Sequence, residues 1–67
     1  MERPLDALSK SKGTEIKVLL KNDKEVKGKL VAYDIHTNLA LENAVMNGNE
    51  HKNLFIRGDM VVYISMS

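Results

Sequence analysis

Three side chains in two separate segments have the chemistry to hold a flat, hydrogen-bonding ligand. His36 and Asn38 lie two positions apart, and Arg57 stands directly before a glycine. The imidazole of His36 and the guanidinium of Arg57 are planar groups on which a nucleobase can stack. The Asn38 amide adds a hydrogen-bond donor and an acceptor, which stacking alone does not provide. These residue types indicate non-covalent recognition of an unpaired base.

The amide of Asn38 matches the hydrogen-bonding edge of uracil. It can donate to O4 of the base and accept from N3–H. An amide turned over would fit cytosine equally well, so a preference for uracil requires a group that fixes the amide. We expect this group to be Asp59 or a backbone group in the loop that starts at Asp34.

Each of these residues also has a purely structural interpretation. Asn38 could serve only to shape its turn through bonds to the backbone, and an isolated Arg57 would be a solvated cation. An isolated His36 would be an ordinary loop residue. Asp34 is expected to order its loop rather than contact a base, and Asp59 fits a turn as well as an amide lock.

Length and composition limit the kind of protein. The 67 residues allow one domain, no cysteine is present for a disulfide, and the net charge is +1. A small core without disulfides favours oligomerisation. Near-neutral charge means that nucleic-acid binding must rest on local placement of residues. No apolar run approaches the roughly 20 residues of a membrane span, and the first residues lack a signal segment, so we expect a cytoplasmic protein.

The elements that position these residues follow from the spacing of apolar residues. Pro4 suits the first turn of a helix and Gly13 its end, so residues 4–12 are predicted to form a short helix. Apolar and polar residues then alternate in five short segments separated by turn residues, which is typical of strands. The predicted strands lie around residues 16–20, 26–33, 39–43, 54–56 and 60–64.

The second strand carries a glycine in its middle. Gly28 weakens the strand but permits the sharp bend that a small sheet needs in order to curl into a barrel. Leu30 and Ala32 are expected to share one face of this strand with Gly28.

Two segments resemble the motifs of the Sm and Lsm family. The first runs from a strand glycine through an aromatic–Asp step to a ring two residues before an asparagine. These residues are Gly28, Tyr33, Asp34, His36 and Asn38. The second segment, Ile56-Arg57-Gly58-Asp59-Met60-Val61, resembles the second Sm motif of archaeal and eukaryotic members. The prediction is therefore one Sm-like domain over residues 1–67, with the first motif at 14–43 and the second at 53–64.

The resemblance implies an all-β fold with an N-terminal α-helix, in which a strongly bent five-stranded antiparallel sheet forms a small OB-like barrel, the Sm fold. Similar proteins join edge to edge through their fourth and fifth strands into rings. Archaeal rings are homoheptamers, less commonly hexamers, and hold uridine-rich single-stranded RNA around a central pore as scaffolds or chaperones in RNA processing or ribonucleoprotein assembly. For this chain the resemblance implies RNA-binding residues, loop-ordering residues, and no catalytic group, cofactor or metal. The RNA-binding residues are His36, Asn38, Arg57 and Asp59, and the loop-ordering residues are Asp34 and Gly58.

Two departures from the family pattern stand out. Thr37 occupies a position where many relatives carry Met or Leu. The segment between the motifs, residues 44–53, is short, so the fourth strand and its loop are expected to be trimmed. His51 lies in this polar segment and is expected to be solvated.

Three alternatives remain open from the sequence. A ring could bind protein partners without binding RNA. A metal-dependent nuclease could use Asp34, His36 and Asp59, although a two-metal site normally needs more carboxylates at one point. Tyr33 together with Arg3 could form a second RNA contact.

Overall fold

The computed structural model describes residues 4–66, which form one helix and a five-stranded antiparallel sheet, and the predicted fold class is confirmed. One turn of 3-10 helix, Gly58–Met60, joins the last two strands. The remaining elements are α1 (Pro4–Ser11), β1 (Glu15–Leu20), β2 (Glu25–Tyr33), β3 (Leu39–Met46), β4 (Asn49–Ile56) and β5 (Val61–Met66).

Helix α1 is tied to the sheet at its carboxyl end. Leu8 is buried in the core, and Gly13 follows the helix with a φ of +88°, a conformation that suits glycine. The backbone N–H of Gly13 donates to the carbonyl of Leu30 in β2 at 2.7 Å. The helix ends at Ser11, one residue before the predicted end, and this main-chain bond fixes its exit beside β2.

The strands lie in the order β4-β3-β2-β1-β5, and every neighbouring pair is antiparallel. Within the described residues, β4 and β5 are therefore the two outer strands of the sheet. Alternate residues of the strands point into one core, as expected for a period of two. The core residues are Leu8, Ile16, Val18, Leu20, Val26, Leu30, Leu39, Leu41, Ala44 and Ile56.

A bend in the sheet lies where β2 crosses β3 at Gly28. The register of this pair shifts between Lys27 and Lys29, on either side of the glycine. A Cβ on Gly28 would lie only 3.0 Å from the Cα of Ala44, so glycine lets the two strands approach closely. Asn43 and Ala44 of β3 both stand opposite Gly28, so β3 carries the extra residue and bends there, as at a β-bulge.

A second register shift lies further along β2. It falls between Leu30 and Ala32 and reverses the alternation of the faces. Ala32 is exposed, whereas Tyr33 packs against the core. The prediction that Ala32 shares a face with Leu30 is wrong, because the alternation was assumed to run unbroken through the bulge.

The fourth strand is longer than the sequence indicated. β4 has eight residues and pairs with β3 over its whole length. Only the connection is short, because Asn47 and Gly48 make the turn with φ values of 53° and 80°. The prediction of a trimmed fourth strand is wrong, and His51 is half-buried within β4 rather than solvated in a loop. The first residues of β4 are polar because an outer strand exposes much of its length, so they lack the apolar alternation that predicts a strand.

Candidate nucleic-acid interface

The loop between β2 and β3 is organised around one carboxylate. Oδ1 of Asp34 accepts hydrogen bonds from the backbone N–H of His36 at 2.8 Å and from that of Asn38 at 3.1 Å. The backbone N–H of Thr37 donates to the carbonyl of Asp34 at 3.1 Å. These bonds close the five-residue segment into a tight turn and set the positions of His36 and Asn38.

The turn forces Thr37 into an unusual backbone conformation. Its φ is 63°, in the left-handed region that β-branched residues rarely adopt. A residue held there persists because its surroundings over-determine it. The loop therefore carries local strain at the residue between His36 and Asn38.

The side-chain amide of Asn38 is held at both ends. Its Nδ2 donates to Oδ2 of Asp34 at 2.9 Å, and its Oδ1 accepts from the backbone N–H of Gly58 at 2.7 Å. An ionised carboxylate only accepts and a backbone N–H only donates, so the amide fits in one orientation. The nitrogen was expected to be held by Asp59 or by a backbone group of the Asp34 loop, and both expectations are wrong, because the side-chain carboxylate of Asp34 holds it.

The carboxyl group of Asp34 is ionised while it accepts the hydrogen bond from the Asn38 amide. The hydrogen bond from the Asn38 side chain lowers the pKa of Asp34, and the backbone N–H groups of Asn38 and His36 lower it further. The carboxylate is therefore ionised at neutral pH. It cannot donate a proton to the amide, so the donor direction of the Asp34–Asn38 bond is fixed.

Gly58 brings the second segment against this loop. A Cβ at this position would overlap the carbonyl oxygen of His36, so the two backbones touch only because residue 58 is glycine. The 3-10 turn that follows is closed by the Met60 N–H, which donates to the carbonyl of Arg57 at 3.0 Å. The end of β4 and the β2–β3 loop thus meet as one surface.

Arg57 and Asp59 form an ion pair at the rim of this surface. Arg57 Nη2 lies 3.1 Å from Asp59 Oδ2, with the two side chains 74% and 60% exposed. An exposed pair of this kind contributes little stability, but it limits where the guanidinium plane can lie. We therefore expect Asp59 to act on a ligand mainly through Arg57.

A shallow pocket of about 450 Å³ lies between the two segments. Its lining residues are His36, Asn38, Arg57, Gly58 and Asp59. The structure thus brings together every residue that the sequence assigned to RNA binding. Asp34 stands behind the pocket as the support of Asn38, a role that sequence reasoning missed, although an Asp four residues before an Asn was a usable signal.

The predicted second RNA contact at Tyr33 and Arg3 is described only in part. Tyr33 packs against the core at the end of β2, and Arg3 lies outside the described residues, so the second RNA contact stays a prediction. Among residues 4–66 there is no helix with the length and apolar character to cross a membrane.

A helix followed by five antiparallel strands, with a polar pocket where the β2–β3 loop meets the end of β4, defines the class of small Sm-fold proteins. The sequence profile of the LSM domain family matches residues 6–66. This chain belongs to the LSM domain family.

Three solved structures are closely similar to this chain. An SmAP (LSm) protein from Methanococcus vannielii is 52% identical with a TM-score of 0.91, over 98% of this chain and 97% of that one. A Pyrococcus abyssii Sm protein in complex with a uridine heptamer is 39% identical with a TM-score of 0.92, over 98% and 100%. A heptameric archaeal Sm protein is 33% identical with a TM-score of 0.86, over 92% and 97%.

Proposed function

We propose that this protein forms a ring that binds uridine-rich single-stranded RNA around a central pore. It acts as an RNA scaffold or chaperone in RNA processing or ribonucleoprotein assembly. The observation that carries the proposal is the meeting of His36, Asn38 and Arg57 in one pocket, with the Asn38 amide fixed. The similar Pyrococcus protein is described in complex with a uridine heptamer.

The pocket has the parts that a uracil needs. The His36 imidazole lies in the β2–β3 loop and the Arg57 guanidinium follows β4, and both are exposed planar groups. A base that stacks between them gains about 1–3 kcal/mol. The amide of Asn38 keeps one hydrogen on Nδ2 and one lone pair on Oδ1 beyond its bonds to Asp34 and Gly58. These two positions donate to O4 and accept from N3–H.

The outer strands supply the surfaces for a ring. Phe55 in β4 is 65% exposed, and Val62 and Tyr63 in β5 are 55% and 53% exposed. An outer strand also presents backbone groups that pair with another strand. Pairing of β4 with β5 of the next copy buries both, and a rotation that closes makes a ring. A similar archaeal protein is heptameric, so we propose a homoheptamer, with a hexamer as the alternative.

In a ring, several weak pockets together bind one RNA with high affinity. Each copy contributes one pocket at the pore, and a tract of uridines occupies several of them at once. The second and later contacts are then intramolecular, so affinity rises steeply with tract length. A single uridine is expected to bind weakly.

Native mass spectrometry of the intact protein, with and without oligo-U of increasing length, tests this proposal. We expect one ring mass and one RNA per ring, with affinity rising with tract length. Arg57→Ala should lower oligo-U affinity at least tenfold, because roughly 1–3 kcal/mol is lost at every pocket. Lys24→Ala, which removes an exposed charge in the β1–β2 turn, should not. A ring that does not bind oligo-U would favour the alternative, in which the ring binds protein partners and not RNA.

A non-catalytic role and a cytoplasmic location belong to the same proposal. Within residues 4–66 no group of three or more His, Cys, Asp or Glu side chains is placed to hold a metal. Asp34, one of the three residues of the nuclease alternative, is hydrogen-bonded to the backbone of the loop and to the side chain of Asn38. Incubation of end-labelled RNA with the protein and Mg²⁺ should leave the RNA intact. Cleavage of at least one RNA molecule per protein molecule would restore the nuclease alternative.

A further inference from the structure

We propose that the side-chain amide of Asn47 is a site of spontaneous covalent modification. The backbone nitrogen of Gly48 attacks this amide, and water then completes its conversion to aspartate or isoaspartate. The inference concerns the turn between β3 and β4, and it does not depend on the proposed RNA-binding function.

The first step is the conformation and exposure of the turn. Asn47 and Gly48 are the two residues between β3 and β4, and both have positive φ, 53° and 80°. Positive φ at both positions defines a type I′ turn, for which Asn-Gly is a preferred sequence. Both residues are exposed, and apart from its chain neighbours nothing lies within 4 Å of the point where a Gly48 side chain would begin. Water therefore has free access to this peptide bond.

The second step is the availability of a nucleophile. Within residues 4–66 the backbone N–H of Gly48 donates to no backbone carbonyl, and no hydrogen bond holds the side-chain amide of Asn47. Glycine also has no side chain that would crowd the approach of its nitrogen to the amide carbon. The attacking nitrogen and the attacked group are thus both unengaged.

The other five asparagines lack this combination. The amide of Asn38 is hydrogen-bonded at both ends, and Oδ1 of Asn22 accepts from the backbone N–H of Lys24 at 3.1 Å. Each of the five precedes a residue with a side chain, which crowds the attacking nitrogen. Asparagine is a thermolabile residue in general, and these differences single out position 47.

The third step is the motion that the reaction needs. The Gly48 nitrogen must approach Cγ of Asn47, so the turn has to open. Met46 and Asn49 form the last pair of the β3–β4 ladder, and Asn49 and Glu50 are exposed. The end of such a ladder opens at a low cost in free energy. The rate of modification should therefore follow the opening of this hairpin end.

The chemistry balances without an oxidant or reductant. The Gly48 nitrogen forms a bond to Cγ of Asn47 and loses its proton, while the bond from Cγ to Nδ2 breaks and ammonia leaves. The product is a cyclic imide. Water adds to one of its two carbonyl carbons and the bond from that carbon to nitrogen breaks. Breaking at Cγ gives aspartate, and breaking at the main-chain carbonyl carbon gives isoaspartate.

The two products have different effects on the hairpin. Aspartate adds a negative charge and leaves the backbone unchanged. Isoaspartate lengthens the main chain by one carbon, and the length of a turn sets the register of the strands that it joins. Met46 and Asn49 then no longer lie opposite each other, and Met46 packs against the core. The isoaspartate form should therefore unfold at a lower temperature than the parent.

Incubation of the full-length protein at mildly alkaline pH, followed by peptide mapping with mass spectrometry, tests the proposal. Most of the conversion of amide to acid should lie in the peptide that contains Asn47. An isoaspartyl methyltransferase, used as a probe, should methylate the incubated protein. The matched variant is Asn47→Gly, which lacks the amide and accepts the φ of 53°. It should lose both the acidic product and the methylation.

Three results would overturn the proposal. The first is equal formation of acidic product by the parent and Asn47→Gly, and the second is conversion mainly at another asparagine. The third is conversion at Asn47 in urea but none in the folded protein, because the closed turn would then protect the amide. All of these readouts are independent of oligo-U binding, so failure of the proposed function would leave them unchanged.

Discussion

The side-chain oxygen of Asn38 accepts a hydrogen bond from the backbone N–H of Gly58 at 2.7 Å, although the two residues are 20 positions apart. This bond joins the β2–β3 loop to the segment after β4. Because Asp34 holds the nitrogen of the same amide, one side chain connects the residue that orders the loop to the backbone that carries Arg57. Changes on either side of this link should therefore affect the pocket as a whole.

Gly58→Ala should separate the two segments. The new methyl group would overlap the carbonyl oxygen of His36, which belongs to the backbone and cannot turn aside. We expect a loss of about 1–3 kcal/mol of unfolding free energy and loss of oligo-U binding, measured by thermal unfolding and fluorescence anisotropy.

The matched control is Gly48→Ala in the β3–β4 turn, where φ is +80° and space is open. It should cost roughly 1 kcal/mol through backbone strain alone and should leave oligo-U binding intact. Equal RNA affinity of both variants would contradict the proposed contact between the segments.

Thr37→Asn should stabilise the protein. The φ of 63° at this position is costly for a β-branched residue, and asparagine is among the residues that tolerate it best. The expected gain is about 0.5–1 kcal/mol in unfolding free energy, measured by denaturant titration. Thr14→Asn serves as the comparison, and it should destabilise, because the Thr14 hydroxyl donates to the carbonyl of Ser11 at 2.6 Å. A destabilised Thr37→Asn variant would show that the threonine side chain makes a contact worth more than the strain.

The sequence predicted the two segments of the site better than the strands that lead into them. Residues 34–38 and 57–59 were identified by chemistry and motif, and their meeting in one pocket follows from hydrogen bonds whose donors and acceptors are visible in the residue types. The bulge between Leu30 and Ala32 was missed, since it depends on how β2 pairs with β3 and not on β2 alone. The length of β4 was missed for a related reason. An outer strand with solvent on several sides lacks the alternation that marks an inner one.

Asp34 should make stability depend on pH in the acid range. Hydrogen bonds from Asn38 and His36 lower the pKa of its carboxyl in the folded protein. The stabilisation is therefore complete above the unfolded value of about 3.9 and is lost as the pH falls through the lower folded value. Thermal unfolding of the parent and Asp34→Asn between about pH 7 and pH 2 should show the parent advantage shrinking only below about pH 4. Other carboxyl groups are common to both proteins and cancel in the difference. A constant difference across the whole range would mean that the charge of Asp34 contributes nothing to the folded loop.

Phe55→Asp should dissociate the ring without unfolding the chain. Phe55 lies opposite Ala40 on the outward face of β4 and is 65% exposed in the single chain, so its replacement removes little of the core. In the proposed ring the same side chain is covered by the neighbouring copy, and burying an unpaired carboxylate there costs at least about 2 kcal/mol at every interface. Native mass spectrometry should show monomers or small oligomers, while circular dichroism keeps the β-sheet signal.

Ala32→Asp is the matched control, because Ala32 faces outward in the same cross-strand row but on an inner strand. The Ala32→Asp variant should still form the ring. A full ring with aspartate at position 55 would rule out the outward face of β4 as the contact, and loss of the ring in both variants would mean that the interface extends beyond the outer strands.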